Sequence, residues 1–180
     1  MKQLKKSLKD APIIKKGDYN YVIHPLTDGI PNISPELLDE VTNAMAMHFP
    51  ACDNIVTIEA MGIPIAAALS LKTGVPFTII RKRKYGLANE VSVRQTTGYS
   101  SANLFINGLS KGDQVVIVDD VISTGGTLIA VVLALKSMGI DIKKIAIVIN
   151  KGNIEDIEQK IGMPIRTLVD IDVNDHVTIT

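Results

Sequence analysis

The sequence predicts an α/β protein with a doubly wound, mostly parallel sheet that is flanked by helices. Two observations lead to this prediction. Short apolar runs of the kind found in buried strands alternate along the chain with longer segments of helical periodicity. Gly74 and Gly139 follow two of those helical segments, at the position where a glycine commonly ends a helix. Strands that alternate with helices form βαβ units, and such units build a parallel sheet with helices on both faces.

The first predicted helix begins after Ser34. Ser34 suits the N-cap, Pro35 the first turn and Glu36 the positive end of the helix dipole. A helical stripe of apolar residues follows and runs to His48, which we expect to pack at the helix end. Downstream, the predicted strands cover 55–58, 76–80, 114–118, 144–149 and 165–169, and the predicted helices cover 62–72, 126–138 and 154–161.

Lysines dominate the N-terminal segment. Runs of one charge usually lie on a solvated face, and we interpret this segment as such a face or as a frayed end. Its lysines are Lys2, Lys5, Lys6, Lys9, Lys15 and Lys16.

The composition is that of an ordinary globular protein. Of the 180 residues, 46% are hydrophobic and 21% charged, which favours one domain with a sizeable core. The 19 basic and 19 acidic residues cancel, so net charge gives no reason to expect a nucleic-acid or membrane partner. No apolar run reaches the ~20 residues of a membrane-spanning helix. Cys52 is the only cysteine, so no intrachain disulfide can form and a cytoplasmic location is expected.

The most informative segment covers residues 115–127. Four apolar residues predict a buried strand, and the adjacent carboxylates of Asp119 and Asp120 follow at its carboxyl end. A loop of serine, threonine and glycine then leads into a helix. Ligands of open parallel sheets bind at this edge, where free backbone N–H groups at a helix N-terminus can hold a phosphate. The serine and threonine hydroxyls of the loop add further donors.

Two other phosphate-binding motifs are excluded by these residues. A Walker A loop needs a lysine before its final hydroxyl residue, and Gly126 is followed directly by Thr127. A dinucleotide-binding fingerprint places its acid on the next strand, whereas both acids here precede the loop. Carboxylates that faced a phosphate would repel it, but they can accept hydrogen bonds from a sugar cis-diol. The segment therefore predicts a sugar phosphate site, with the sugar hydroxyls on the two acids. The predicted 5′-phosphate contacts are Ser123, Thr124, Gly125, Gly126 and Thr127.

This segment resembles the signature of the type I phosphoribosyltransferase family, a hydrophobic strand, two acids, two apolar residues and a T-G-x-T loop. The order of strands and helices from about 55 to 169 is also similar to the family's core. The resemblance implies an enzyme in which a base nitrogen displaces pyrophosphate from phosphoribosyl pyrophosphate. It also implies that Asp119 and Asp120 are catalytic, because they would orient the ribose and stabilise the positive charge that develops on it.

The resemblance also locates the pyrophosphate. The family has a short pyrophosphate-binding loop, often with a non-proline cis peptide, where this chain has Glu59, Ala60, Met61 and Gly62; a plain strand-to-helix turn is the alternative. The predicted pyrophosphate contacts in this loop are Ala60, Met61 and Gly62. Arg81 and Lys82 match the family's basic contacts to pyrophosphate. Mg²⁺ is the expected cofactor, and we expect substrate and water to hold it rather than a protein cage.

Residues 82–102 interrupt the alternation of strands and helices with a long polar stretch. Such a stretch is often a functional lid, and the resemblance matches it to the family's flexible catalytic lid, which would exclude water on closing. An exposed hairpin without a role is the alternative. The resemblance further predicts a single domain, residues 1–180, with a core at about 34–164. A small hood, at about 1–33 and 165–180, would cover the base.

Lys151 is the main indication of the acceptor base. It follows a predicted core strand, where 6-oxopurine members of the family have a lysine that donates to the purine 6-oxygen; Ile122 would pack on the ring face. The resemblance therefore implies a purine salvage enzyme for hypoxanthine, with guanine as the second candidate, and it suggests a homodimer. An exposed lysine in a Lys-Gly turn is the alternative.

Other functions stay open on the sequence alone. Hypoxanthine-guanine members often have an acid at the position of Ser123, and adenine members have a small residue there, so adenine is an alternative acceptor; orotate is another. Some proteins of this fold sense phosphoribosyl pyrophosphate and regulate transcription without catalysis. Such regulators usually carry a DNA-binding appendage, for which residues 1–33 are too short.

Overall fold

Helices and strands alternate through most of the chain. The computed structural model describes residues 1–17, 19–96 and 101–180. Its helices are α1 (Lys2–Lys9), α2 (Pro25–Asp28), α3 (Pro35–Ala46), α4 (Gly62–Thr73), α5 (Gly126–Ser137) and α6 (Ile154–Ile161). Its strands are β1 (Ile13–Lys16), β2 (Tyr19–Val22), β3 (Asn54–Ile58), β4 (Phe77–Ile80), β5 (Val91–Thr96), β6 (Ser101–Ile106), β7 (Gln114–Ile122), β8 (Asp141–Asn150), β9 (Ile165–Val173) and β10 (Val177–Ile179).

A six-stranded sheet forms the centre of the molecule, in the order β10-β9-β8-β7-β3-β4. The five strands from β9 to β4 are parallel, and β10 is antiparallel to β9. The pairs β1–β2 and β5–β6 form two separate antiparallel hairpins. The predicted α/β fold with a mostly parallel sheet is confirmed.

The strand order reverses between β3 and β7. From β3 the chain moves outward to the edge strand β4, and it then returns to form β7 on the other side of β3. The carboxyl ends of β3 and β7 therefore lie side by side, with Thr57 opposite Val118. Open α/β sheets bind their ligands at such a reversal point.

Both faces of the sheet are covered. Val116 and Val118 of β7 belong to one apolar core with α1, α3 and α4, while Val115 and Ile117 belong to a second core with α5, α6 and the β5–β6 hairpin. Burial on both faces explains why the strands appear in the sequence as continuous apolar runs.

Helix α3 begins as predicted and ends earlier. The Ser34 side chain accepts a hydrogen bond from the Leu37 N–H at 3.3 Å, and Pro35 occupies the first turn. The helix stops at Ala46, and His48 follows it with an exposed side chain and a left-handed φ of 53°. The packing role predicted for His48 is therefore wrong.

The lysine-rich N-terminus is a helix with one buried face. Leu4 and Leu8 are fully buried and belong to the core of α3 and α4. The Glu40 carboxylate of α3 accepts hydrogen bonds from the N–H groups of Lys2, Gln3 and Leu4. The lysines of α1 are exposed, so they form a solvated face as predicted, but the segment is not frayed.

Three strands extend beyond their predicted ends. β7 continues from the predicted end at Val118 to Ile122, so both acids lie within the strand rather than after it. β8 reaches Asn150, and β9 reaches Val173. No helix among the described residues is long and apolar enough to cross a membrane.

Candidate functional site

The loop after β7 forms a small cavity of about 170 Å³ at the reversal point of the sheet. Gly125 lies at the N-cap of α5 with a left-handed φ of 73°, and a Cβ at this position would come within 2.6 Å of Ile157 of α6. Glycine is therefore required where the loop passes α6. The residues predicted to bind the 5′-phosphate all line this cavity, together with Asp119 and Ile122; they are Ser123, Thr124, Gly125, Gly126 and Thr127.

The two acids of β7 lie where their charges are disfavoured. Asp120 is 7% exposed, and burial raises the pKa of its carboxyl to about 6. Burial and the neighbouring Asp120 carboxylate raise the pKa of Asp119 well above its usual value, although the Asp120 N–H donates to Asp119 Oδ1 at 3.0 Å. Without a ligand the site therefore resists holding both negative charges.

The loop after β3 packs directly against the first acid. A Cβ at Gly62 would collide with Thr57 Oγ1 and with Asp119 Oδ1, so the N-terminus of α4 can approach β7 only because residue 62 is glycine. The buried Thr57 hydroxyl beside it has no hydrogen-bond partner within the described part of the chain. The peptide bond between Glu59 and Ala60 is cis, as is often the case in the family that the sequence resembles.

The basic residues after β4 are held to this loop by its first residue, Glu59, for which the sequence analysis predicted no contact. Glu59 pairs with Arg81, whose Nε lies 2.7 Å from Glu59 Oε2, and the other carboxylate oxygen accepts from the Lys82 N–H at 3.1 Å. Ala60 is exposed, and Met61 is the N-cap of α4. The structure thus brings all five predicted pyrophosphate contacts to one edge of the sheet. The position of Glu59, an acid at the end of β3 directly before Ala60, was visible in the sequence, but its pairing with Arg81 was not.

The turn after β8 lies against the phosphate loop. The Lys151 N–H donates to the Ile122 carbonyl at 2.8 Å, and the Asn150 side chain accepts from the Gly152 N–H at 2.9 Å. A Cβ on Gly152 would overlap the carbonyl of Ser123. Lys151, which is predicted to donate to the purine 6-oxygen, is therefore positioned by contacts with the loop that is predicted to bind the phosphate.

The structure separates the Ile122 side chain from that of Lys151. Ile122 is 2% exposed and lies in the apolar core on the α5 side of the sheet. Val121 instead lines a small cavity together with Lys151. Val121 and Ile122 pack in opposite cores, in the reverse of the order that strict alternation from Val118 would give. The ring contact predicted for Ile122 is therefore wrong for its side chain, and Val121 lies on the Lys151 side instead.

Residues between 21 and 27, in the N-terminal part of the chain, lie on the Lys151 side of the site. The Lys151 ammonium lies 5.6 Å from the centre of the Tyr21 ring, and His24 and Thr27 line the cavity shared by Val121 and Lys151. The predicted hood at about 1–33 contains these residues, but the sequence did not single them out, because no local motif links them to the ends of β7 and β8.

A family model identifies the chain. The model described as "Phosphoribosyl transferase domain" matches residues 33–174, which include β3, β7 and both loops at their carboxyl ends. The chain belongs to the phosphoribosyltransferase family, and the predicted resemblance is confirmed.

Curated relatives narrow the comparison within the family. A protein of Methanocella arvoryzae is 54% identical over 98% of this chain and 93% of its own length. One of Methanocaldococcus infernus is 55% identical over 96% of both chains. Each is named hypoxanthine/guanine phosphoribosyltransferase.

Solved structures agree with the fold. The adenine phosphoribosyltransferase of Thermoanaerobacter pseudethanolicus has a TM-score of 0.76 at 24% identity, over 94% of this chain and 98% of that one. The adenine phosphoribosyltransferase of Saccharomyces cerevisiae has a TM-score of 0.76 at 22% identity, over 93% and 97%. At these identities the likeness concerns the fold alone.

Proposed function

We propose that this chain transfers the phosphoribosyl group of phosphoribosyl pyrophosphate to a 6-oxopurine, giving a nucleoside monophosphate and pyrophosphate. Relatives more than 50% identical over nearly the whole chain are named for hypoxanthine and guanine. The observation that carries the proposal is the position of Lys151, whose turn is bonded to the end of β7 beside the sugar phosphate loop. Hypoxanthine is the first candidate substrate and guanine the second.

The sugar phosphate would occupy the edge formed by β7 and α5. The loop from Ser123 to Thr127 would bind the 5′-phosphate with its N–H groups, its hydroxyls and the positive end of the α5 dipole. Asp119 and Asp120 would accept hydrogen bonds from the ribose hydroxyls. As the bond to pyrophosphate breaks, the ribose gains positive charge, and this charge would favour ionisation of the two acids whose pKa values are raised in the free protein.

Pyrophosphate would leave between β3 and β4. The N–H groups of Ala60, Met61 and Gly62 lie at the start of α4, and Arg81 and Lys82 supply positive charge beside them. No group of three or more metal-binding side chains occurs among residues 1–17, 19–96 and 101–180. The adjacent acids of β7 fit a Mg²⁺ ion only as partial ligands, with substrate oxygens and water as the others. Such an ion would neutralise charge on the leaving pyrophosphate.

The purine would lie between β7, the turn after β8 and the N-terminal segment. Val121, rather than Ile122, would contact the ring face, and Lys151 would donate to the 6-oxygen. Ser123 is a poor base, so water or another group would take the ring proton. The hood at about 1–33 and 165–180, the lid at 82–102, the homodimer and the cytoplasmic location all stay predictions; residues 97–100 of the lid lie outside the described ranges.

A steady-state assay of pyrophosphate release against a panel of bases tests the proposal. With phosphoribosyl pyrophosphate and Mg²⁺ present, hypoxanthine and guanine should be used in preference to adenine and orotate. Lys151→Ala should reduce use of hypoxanthine sharply and narrow its lead over adenine, because a site built around one polar group rejects analogues that leave the group unpaired. Lys143→Ala, at the other end of β8, is the matched control.

Two outcomes of this assay would contradict the proposed function. A wild-type preference for adenine would make the chain an adenine phosphoribosyltransferase. Tight binding of phosphoribosyl pyrophosphate without turnover of any base would make it a non-catalytic sensor.

A further inference from the structure

A hydrogen-bonded network in the N-terminal segment converges on one carboxylate. The Tyr21 hydroxyl donates to Asp28 Oδ1 at 2.6 Å. The Thr27 hydroxyl and the His24 N–H donate to Asp28 Oδ2 at 2.6 and 3.0 Å. Asp28 is the last residue of α2 and is half-buried, and these hydrogen bonds hold its carboxylate in one orientation.

A second layer of contacts fixes this network in place. The His24 ring is buried and caps α2, since Nδ1 accepts from the Leu26 N–H at 3.2 Å. Nε2 lies 2.9 Å from Ser7 Oγ of α1, and Ser7 in turn donates to the Leu4 carbonyl. Burial lowers the pKa of His24 to about 4, so the ring is neutral at neutral pH and its Nε2–H donates to Ser7.

The network faces the predicted base site. Helix α2 packs on β7, and His24 and Thr27 line the cavity shared with Val121 and Lys151. The positive charge of Lys151 acts on both Asp28 and Asp120, and Asp28 in turn acts on Asp120. The Asp28 carboxylate and the Lys151 ammonium therefore lie close enough for their opposite charges to interact, and residues that donate to Asp28 line the cavity of Lys151.

Asp28 has one acceptor position left for a ligand. Each carboxylate oxygen has two acceptor positions; within the described part of the chain, hydrogen bonds use both positions of Oδ2 and one of Oδ1. Burial opposes ionisation of Asp28, but the hydrogen bonds from Thr27, Tyr21 and His24 outweigh it and lower the pKa of the carboxyl. Burial and the bond to Asp28 raise the pKa of Tyr21 to about 12, so the phenol stays a donor and the carboxylate an acceptor at neutral pH.

We propose that Asp28 is a specificity residue that accepts a hydrogen bond from N1–H of a 6-oxopurine while Lys151 donates to its 6-oxygen. This inference rests on the proposed function. A 6-oxopurine presents an N–H donor beside a carbonyl acceptor, which matches an acceptor beside a donor in the protein. Adenine presents the reverse order, an acceptor at N1 beside an amino group, and would face a like group at both positions.

The first test compares two ligands on the wild-type protein. Hypoxanthine carries N1–H, and 1-methylhypoxanthine keeps the 6-oxygen but lacks that hydrogen. Hypoxanthine should compete at about tenfold to hundredfold lower concentration, the range expected for a hydrogen bond to a charged group. Asp28→Ala should narrow this gap, because it removes the acceptor and makes room for the methyl group. Equal competition by the two ligands in the wild-type protein would overturn the proposal.

The second test uses Asp28→Asn with Tyr21→Phe as its matched control. Asp28→Asn should lower kcat/KM for hypoxanthine by tenfold or more, should affect adenine less, and should leave KM for phosphoribosyl pyrophosphate near the wild-type value. Tyr21→Phe removes one bond that orients Asp28 but keeps its charge, so activity should fall only a few-fold and the base preference should survive. An equal loss for every base with Asp28→Asn would show a structural role and overturn the proposal.

The outcomes separate this inference from the proposed function. If the wild-type protein uses no 6-oxopurine, the proposed function fails. If it does use one, and the base preference is unchanged in Asp28→Asn, only the role of Asp28 fails. If Asp28→Asn does not fold, as judged by its thermal unfolding, the ligand comparison on the wild-type protein decides.

Discussion

Asp119 and Asp120 combine an unfavourable environment with the position nearest the expected sugar. Replacing either acid by asparagine should lower turnover at least tenfold, which corresponds to ~1.4 kcal/mol in the barrier. The fold should survive, because both residues follow the apolar run 115–118 of β7 and asparagine is close to aspartate in shape. Steady-state kinetics of Asp119→Asn and Asp120→Asn test this, with the surface variant Asp141→Asn as control. Wild-type kinetics in both variants would remove the acids from the mechanism.

The same environment predicts that Asp120 destabilises the unliganded protein at neutral pH. The folded protein raises the pKa of this carboxyl from 3.8 to about 6, so its protonated form contributes stability below pH 4 that is lost as the pH rises through 6. Asp120→Asn should therefore unfold at a higher temperature than wild type at pH 7.5, by about 2–4 °C for each kcal/mol gained. The difference should shrink near pH 4. A lower unfolding temperature for the variant at pH 7.5 would contradict the prediction.

At the scale of elements, the cap of α2 should make stability sensitive to acid. The folded pKa of His24 is about 4 and its ordinary value 6.5, so protonation of the unfolded chain removes stability as the pH falls from 6.5 towards 4. Asparagine can also cap a helix but does not titrate in this range. His24→Asn should therefore lose less stability than wild type between pH 7 and 4.5, as measured by denaturant unfolding. Parallel losses in the two proteins would assign the acid sensitivity to other groups.

The segment at 82–102 should be a lid that responds to ligand. Its described part includes β5, which pairs with β6 and whose Val93 is buried with Leu104. Amide hydrogen exchange should show little change at these core positions. Between 82 and 90, exchange should slow when donor and a base analogue are bound together. The centre of β7 is the internal control, and equal protection with and without ligand would make the segment a structural hairpin.

The sequence predicted those elements whose burial pattern is local. β3, β7 and β8 are each buried on both faces over at least four consecutive residues, so short, mostly apolar runs reveal them. α1 escaped prediction because only Leu4 and Leu8 are buried among its lysines, and because the carboxylate that caps it belongs to Glu40, far along the chain. The β1–β2 hairpin escaped because its strands have four residues each and are largely exposed or half-buried, whereas a hairpin at 82–102 was predicted only as the alternative to a lid.

The same distinction applies to the candidate site: residues within one contiguous segment could be predicted, and residues joined only by tertiary contacts could not. The loop after β7 could be predicted, since its glycines, hydroxyls and acids are contiguous. The contacts between Glu59 and Arg81, or between Tyr21 and Asp28, depend on tertiary structure and left no contiguous pattern. The assignment of Ile122 failed for a geometric reason. Strict alternation from Val118 would place residue 122 in the core of Val116 and Val118, whereas the structure places it in the core of α5 and α6, and no local pattern indicates this change of face.

At the scale of the whole molecule, the donor should stabilise the protein more than the base does. Phosphoribosyl pyrophosphate would contact the loops after both β3 and β7 and so join the two halves of the sheet. At 100 times its Kd, a ligand that binds only the folded state adds ~2.7 kcal/mol, or about 5–11 °C for a chain of this size. Thermal unfolding with donor, with and without Mg²⁺, and with hypoxanthine alone tests this. A larger shift with hypoxanthine alone would contradict the prediction.

Because Gly152 contacts the carbonyl of Ser123, the preference for an acceptor base and the binding of the sugar phosphate donor are difficult to change independently during evolution. The turn that carries Lys151 meets the sugar phosphate loop with no space for a methyl group between them. A lineage that altered its acceptor base by lengthening or reshaping this turn would also displace the loop that holds the donor. New base preferences should therefore evolve by exchange of side chains on an unchanged backbone, at residue 151 and at positions of the N-terminal segment such as residue 28, rather than by insertions in the turn.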